Sequence, residues 1–136
     1  MPRTATESLI ARYYAAFNAA DPGAMLDCVT EDVEHRVNEG GIRRGRALFA
    51  EFCAHMGVSY HEELREIVIF ANADGTRGAA EFVVHGAYLQ TDTGLPPARG
   101  QRYVLPAGAF FDIRDGRIAR NTTFYNLADW VRQVSA

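Results

Sequence analysis

The chain has 136 residues, 48% hydrophobic and 23% charged, which bounds it to one globular domain with room for a real core. A net charge of -3 argues against general binding to nucleic acid or to an anionic membrane. All 14 basic residues are arginine, so a lysine Schiff base is excluded, and with it the usual pyridoxal or lysine-aldolase chemistry.

The first residues, MPRTATESL, contain no hydrophobic signal region, and no apolar run approaches ~18 residues. A cytoplasmic protein without a membrane partner is expected. Thr4 and Glu7 form a capping box ahead of a first helix. Leu9, Ile10, Tyr13 and Phe17 recur at helical spacing, which puts Tyr13 on the apolar stripe and Tyr14 at its edge. Asp21 caps a short second helix with Pro22 at its first position, and Thr30-Glu31-Asp32 ends it. Val33, His35 and Val37 alternate with Glu34 and Arg36, a half-buried strand with an imidazole between two valines. After the loop NEGGIRRG, a third helix starts near Gly45 and buries Leu48, Phe49, Phe52, Cys53 and Met56. Cys28 and Cys53 both lie on apolar helical stripes and read as buried hydrophobes without a disulfide.

Sheet follows. Leu64 to Phe70 is one strand, Asn72 to Gly75 a turn, and Ala79 to Gln90 a long strand. That strand sets Phe82, Val84, Gly86 and Tyr88 on one face and Glu81 and His85 on the other. A Gly/Pro loop leads to a hairpin around Asp115-Gly116. On its first arm Tyr103, Leu105, Ala107, Ala109, Phe111 and Ile113 share an uncharged parity, taken as the buried face. The turn decides the second arm. A two-residue loop pairs Arg114 with Arg117 and turns Ile118, Thr122 and Phe124 inward. A three-residue bulged loop turns Ala119, Asn121, Thr123 and Tyr125 inward instead. Asp129 to Val134, with Trp130, reads as a short tail. Helices grouped ahead of an antiparallel meander define an α+β fold. The expected architecture is a curved antiparallel sheet wrapped around three helices, forming a cone-shaped pocket in a cystatin-like α+β barrel roll.

Four histidines without HxH or HExxH spacing and two isolated cysteines point to no metal site. No GxSxG, P-loop or GxGxxG occurs, so no cofactor is expected. Arg43, Arg44 and Arg46 form the one basic knot, either a solvated loop or a phosphate contact. Val83, Val104, Phe110 and Phe124 place apolar groups on the outer sheet face, the pattern of a homodimer packed sheet to sheet.

Three stretches, RYYAAFNAADPGAM, GLPPARGQRY and FDIRDGRIARNTTFYN, together with TEDVEHRV, resemble the nuclear-transport-factor-2-like superfamily. The similarity lies in its SnoaL-like and ketosteroid-isomerase-related branch and extends over residues 1–136 as a single domain. That superfold hosts isomerases, cyclases, dehydratases, epoxide hydrolases and binding proteins, so the resemblance implies a fold more than an activity. Steroid isomerases of the family use a helix tyrosine and a protonated aspartic acid as oxyanion donors, with an aspartate as base. By resemblance Tyr13 takes the place of the tyrosine, Ala109 that of the acid and Val37 that of the base. Both carboxylates are missing, so standard steroid isomerisation is not expected. The resemblance also selects the three-residue turn.

The remaining chemistry centres on His35, which shares a face with Val37. An imidazole near neutral pH suits general-base work worth ~10²–10⁴-fold, though a hydrogen-bonded core histidine is the plain alternative. Tyr13 either donates to a developing oxyanion or simply packs. Phe17, Val37, Phe52, Met56, Phe82, Val84, Tyr88, Tyr103, Ala109, Phe111, Asn121, Thr123 and Tyr125 are the expected lining. Glu39, at the mouth, and Glu81 with His85, on the outer face, are lesser candidates. The expected activity is isomerisation, cyclisation or dehydration of a small apolar carbonyl or hydroxyl compound. The alternative is a binder of such a compound without chemistry.

Overall fold

The computed structural model describes residues 2–136. Its elements are α1 (Pro2–Asn18), α2 (Pro22–Leu26), β1 (Val29–Val37), β2 (Arg43–Arg44), α3 (Arg46–Ser59), β3 (Tyr60–Ala71), β4 (Arg77–Tyr88), β5 (Gln101–Arg114), β6 (Arg117–Tyr125) and α4 (Leu127–Ser135). The six strands form one curved, unclosed sheet in the order β2-β1-β6-β5-β4-β3. β3 to β6 are the expected meander. β1, however, runs parallel to β6, pairing His35 with Asn121 and Val37 with Thr123, so the sheet is mixed.

Alternation sorts the strands into a concave face that packs on α1 and α3 and a convex face turned to solvent. Ile10, Phe49, Tyr88, Phe111 and Ile118 are among the fully buried side chains. Burying side chains of this size from the unfolded chain contributes about 1.5–3 kcal/mol each. The exit of α1 is fixed on β3 by one amide: Asn18 donates to Leu64 O at 2.9 Å and accepts from Leu64 N at 2.8 Å. Next to that clamp β3 bulges between Arg65 and Val68, with Glu66 left-handed at φ 54°. The bulge curves the strand and turns Ile67 and Ile69 to the face that Tyr60, Glu62 and Leu64 occupy before it.

The hairpin combines the two turn readings. Asp115 (φ 52°) and Gly116 (φ 74°) form a two-residue turn that pairs Arg114 with Arg117 and Ile113 with Ile118. The three-residue loop is therefore corrected. The extra residue enters one step later, where the register shifts so that Phe111 faces Asn121. Ile118 and Asn121 both end up buried, while Phe124 faces solvent.

Other expectations change locally. α1 begins at Pro2, so Thr4 and Glu7 lie within it and do not cap it. Tyr14 is buried, not marginal, and Leu48 is exposed, so the stripe of α3 runs through Phe49 without it. Asp21 does cap α2, accepting from Ala24 N at 3.1 Å, but β1 already starts at Val29, through the expected break. The expected tail is a fourth helix, α4. Asn126 caps it by accepting from Asp129 N at 3.0 Å, and Trp130 and Val134 are buried. Gln133 ties it to β5, accepting from Val104 N at 3.0 Å and donating to Val104 O at 2.9 Å. Among the described residues no helix is long and apolar enough to cross a membrane.

Candidate functional site

Two groups of polar side chains project from the concave face. The first lies where α1, α3, β1 and β6 meet. The Thr123 hydroxyl donates to Asn121 Oδ1 at 3.1 Å, and Asn121 Nδ2 donates to the Tyr13 hydroxyl oxygen at 3.1 Å. Thr123 and Asn121 share this face only because of the β6 bulge. Tyr13 is thus an acceptor in the chain and its own proton is uncommitted. The Phe49 ring (6.4 Å between centroids) and the Phe111 ring (6.2 Å) surround it. Burial first, then the nearby Cys53 thiol, hold its phenol well above the ordinary value, so it stays a neutral donor.

His35 is 3% exposed. Its ring lies 4.9 Å from Phe49 and 4.5 Å from Phe52. Its Nδ1 is buried with no hydrogen-bond partner among the described residues. Burial, and secondly the Arg43 guanidinium, push its pKa down to about 4. The imidazole is therefore neutral at pH 7, with a lone pair open. Arg43 packs over the outer rim of this group, 4.5 Å from the centre of the Phe52 ring. The rest of the basic knot is paired: Arg44 with Glu34, and Arg46 with Asp27 and Glu31.

The second group lies toward the start of β3. Tyr103 on β5 donates to Glu62 Oε2 on β3 at 2.5 Å. The bond reaches across β4, and Gly86 is the residue between, paired with Glu62 on one side and Tyr103 on the other. A Cβ on Gly86 would lie 2.3 Å from the Tyr103 ring, so glycine is what lets the ring lie flat over the strand. Beside them Tyr60 donates to Asp92 Oδ2 at 2.7 Å, and His55 Nε2 contacts Asp92 Oδ1 at 3.0 Å. Tyr60, Tyr88 and Tyr103 all pack on Trp130. Tyr88 is already committed: it donates to Pro96 O at 2.7 Å and accepts from Asp92 N at 2.9 Å.

Burial raises the pKa of Glu62, and the bond from Tyr103 opposes the rise. Burial and then the charges of Glu62, Asp92 and Glu39 push Tyr125 up to about 12, which places its phenol in the field of these carboxylates. Glu62 is the residue that sequence reasoning missed. The signal existed: Tyr60, Glu62 and Leu64 share one parity, but it is visible only if the strand starts at Tyr60 and not at Leu64.

Of the other expected lining residues, Phe82, Val84, Ala109 and Phe111 are buried on the concave side, and Phe17, Val37, Phe52 and Met56 are partly buried. Glu39 and Glu81 are exposed, and Glu81 and His85 face outward as expected. Two shallow depressions, of about 310 and about 410 Å³, open on the outer face. Among the described residues no His, Cys, Asp and Glu cluster could hold a metal.

Known proteins share this architecture. A crystal structure of a candidate polyketide cyclase from Silicibacter sp. TM1040 is 60% identical, with 98% of each chain covered and a TM-score of 0.95. A second, from Xanthomonas campestris pv. campestris, is 54% identical over 98% of this chain and 99% of its own, with a TM-score of 0.95. A third, from Pseudomonas putida KT2440, is 56% identical over 95% and 97%, with a TM-score of 0.94. No curated protein matches the chain. The family model of the SnoaL-like domain matches residues 10–121, and with it the chain belongs to the SnoaL-like family of the nuclear-transport-factor-2-like superfamily.

Proposed function

We propose that this protein binds a small, largely apolar carbonyl or hydroxyl compound inside the cone and moves a proton on it without a cofactor, as an isomerase or cyclase would. The observation that carries the reading is the pairing of open capacities at one place. Tyr13 has an uncommitted O–H, and His35 has an unpartnered nitrogen, both among aromatic rings. In such surroundings a neutral phenol donates strongly to a developing oxyanion, while the imidazole is unprotonated at pH 7 and so free to receive a proton, as a weaker base than a histidine titrating near neutrality. The candidate-cyclase description of the relatives above half identity points the same way.

β-Tetralone, a bicyclic ketone with an acidic carbon, tests it. Proton NMR in D2O reports both its binding, by line broadening, and the loss of its α-proton signal. Saturable binding with accelerated exchange is expected. Tyr13→Phe and His35→Ala should keep the fold and slow exchange by ~10²-fold or more. Unchanged exchange in both variants contradicts these roles.

A binding protein without chemistry is the second reading. One observation favours it: Tyr13 is already held by Asn121, as a purely structural phenol would be. Binding of β-tetralone without exchange would select it. We further propose a homodimer through the outer sheet face, where Val104, Phe110 and Phe124 are about half exposed, at 50%, 50% and 47%. Phe110→Asp should then shift the mass in solution from dimer to monomer.

A further inference from the structure

We propose that Glu62, steered by Tyr103, is a second proton-transfer group of the cone, acting on an enolisable, apolar carbonyl compound. The proposal rests on the reading that the cone takes such a compound, and adds a site at a different depth. α1 and β3 run in opposite directions: Asn18 at the end of α1 is clamped to Leu64, whereas Thr6 near its start donates to Gly75 O, past the end of β3, at 2.6 Å, and Tyr13 lies more than one helical turn back from the clamp. Glu62 therefore sits on one side of the clamp and Tyr13 on the other.

Several features mark Glu62 as a built group and not a stray carboxylate. It points to the concave face, between Tyr60 and Leu64 in parity, and is partly buried. Only one of its oxygens is engaged: Tyr103 holds Oε2, and among the described residues no side chain or amide is bonded to Oε1. The cost of the arrangement is visible at Gly86, since any side chain there would collide with the Tyr103 ring. The neighbouring carboxylate, Asp92, is fully occupied by Tyr60, His55 and the Thr93 amide. Tyr125 supplies the remaining part, a partly buried phenol that shares the concave face of β6 with Asn121 and Thr123, pairs with Ala107 on β5 and has no hydroxyl partner of its own among the described residues.

The step balances within the site. Glu62 Oε1 takes a proton from the carbon beside the carbonyl. The C–H electron pair becomes a carbon–carbon double bond, and the carbonyl π pair moves onto oxygen, where the Tyr125 phenol donates. Return of the proton from Glu62 to that carbon, or to another carbon of the enolate, regenerates the carboxylate and consumes no co-reactant. Burial keeps the Glu62 pKa above the usual carboxylate range, so the carboxylate is a stronger base than an exposed one. The titratable groups around it are Tyr103 on β5, Tyr60 on β3 and Tyr125 on β6, with Asp92, Glu39 and His55 beyond them.

The test uses the full chain and β-tetralone, with binding and α-proton exchange followed separately and as a function of pH. The wild type should exchange along a curve that rises with pH through an inflection above the ordinary carboxylate value. Glu62→Gln should bind the ketone as before and lose the part of the exchange that rises through this inflection, and added to His35→Ala it should abolish the exchange that remains. Tyr103→Phe, which leaves the carboxylate without its donor, should move the inflection to higher pH, a shift that a merely structural tyrosine would not cause. If Glu62→Gln changes neither the wild-type pH curve nor the residual exchange of His35→Ala, Glu62 has no such role and the Tyr13–His35 reading stands. If the wild type neither binds nor exchanges the ketone, both fall together.

Discussion

The two polar groups of the cone are built on different principles. Around Tyr13 and His35 no carboxylate is hydrogen-bonded among the described residues, Tyr13, His35 and Asn121 are deeply buried, and Thr123, Asn121 and Tyr13 form a neutral chain. Around Glu62 and Asp92 every phenol but one is bonded to a carboxylate or a backbone carbonyl, and the two carboxylates are only partly buried beside the buried Tyr88 and Tyr103. One end therefore offers neutral hydrogen-bond capacity in an apolar setting, the other a base of raised affinity for protons. By resemblance the two acids of the steroid isomerases would fall at Ala109 and Val37, and the lack of both still leaves a carboxylate on the concave face. Here one stands on a different strand.

The comparison can be broken most severely at the closed end. Phe111 is fully buried beside both Tyr13 and Tyr14, and Phe111→Ala should cost about 3–5 kcal/mol in chemical denaturation. A loss under about 1 kcal/mol would mean that this end is not a tight core. The pH response comes next. The folded pKa of His35, about 4, lies below the ordinary histidine value of 6.5. Between those values the unfolded chain binds the proton and the folded chain does not, so this stability is complete above pH 6.5 and is lost as pH falls toward 4. The span is on the order of 3 kcal/mol. His35→Phe should flatten that slope; an unchanged slope would show that the imidazole is not the group responsible.

Asn121→Ala should cost about 1–3 kcal/mol, because it strips a donor from Tyr13 and an acceptor from Thr123 in a buried place. The same change should leave the Glu62–Tyr103 pair untouched, and loss at both ends would join what the comparison separates. Smallest of all, Arg44→Ala should change stability by less than about 1 kcal/mol, since its pair with Glu34 is solvent-exposed.

Much of the fold was legible in local pattern. The stripe of Tyr13, the cap at Asp21 and the alternation around His35 follow from period and capping chemistry. What was not legible is where alternation breaks. The β6 bulge after Ile118 puts Ile118 and Asn121 on one face, which neither simple turn register allows. The bulge at Glu66 acts likewise in β3. Both depend on curvature imposed by the helices, a tertiary demand with no local signal. The Asp115-Gly116 dipeptide did signal its two-residue turn, and the family resemblance drew the reading away from it. Glu62 escaped because a charged residue near a strand end looks like solvated surface until a tyrosine two strands away is seen to reach it. Trp130 escaped for a similar cause: α4 is short, and its docking on three tyrosines appears only in three dimensions.

Whether the concave side of the sheet is the ligand site is tested most directly by a crystal of the protein soaked with β-tetralone. The ketone is expected inside the cone, with its carbonyl oxygen about 3 Å from a phenol there, Tyr13 or Tyr125. Density for the ketone only in the grooves of the outer face, with the cone filled by protein side chains alone, would contradict it.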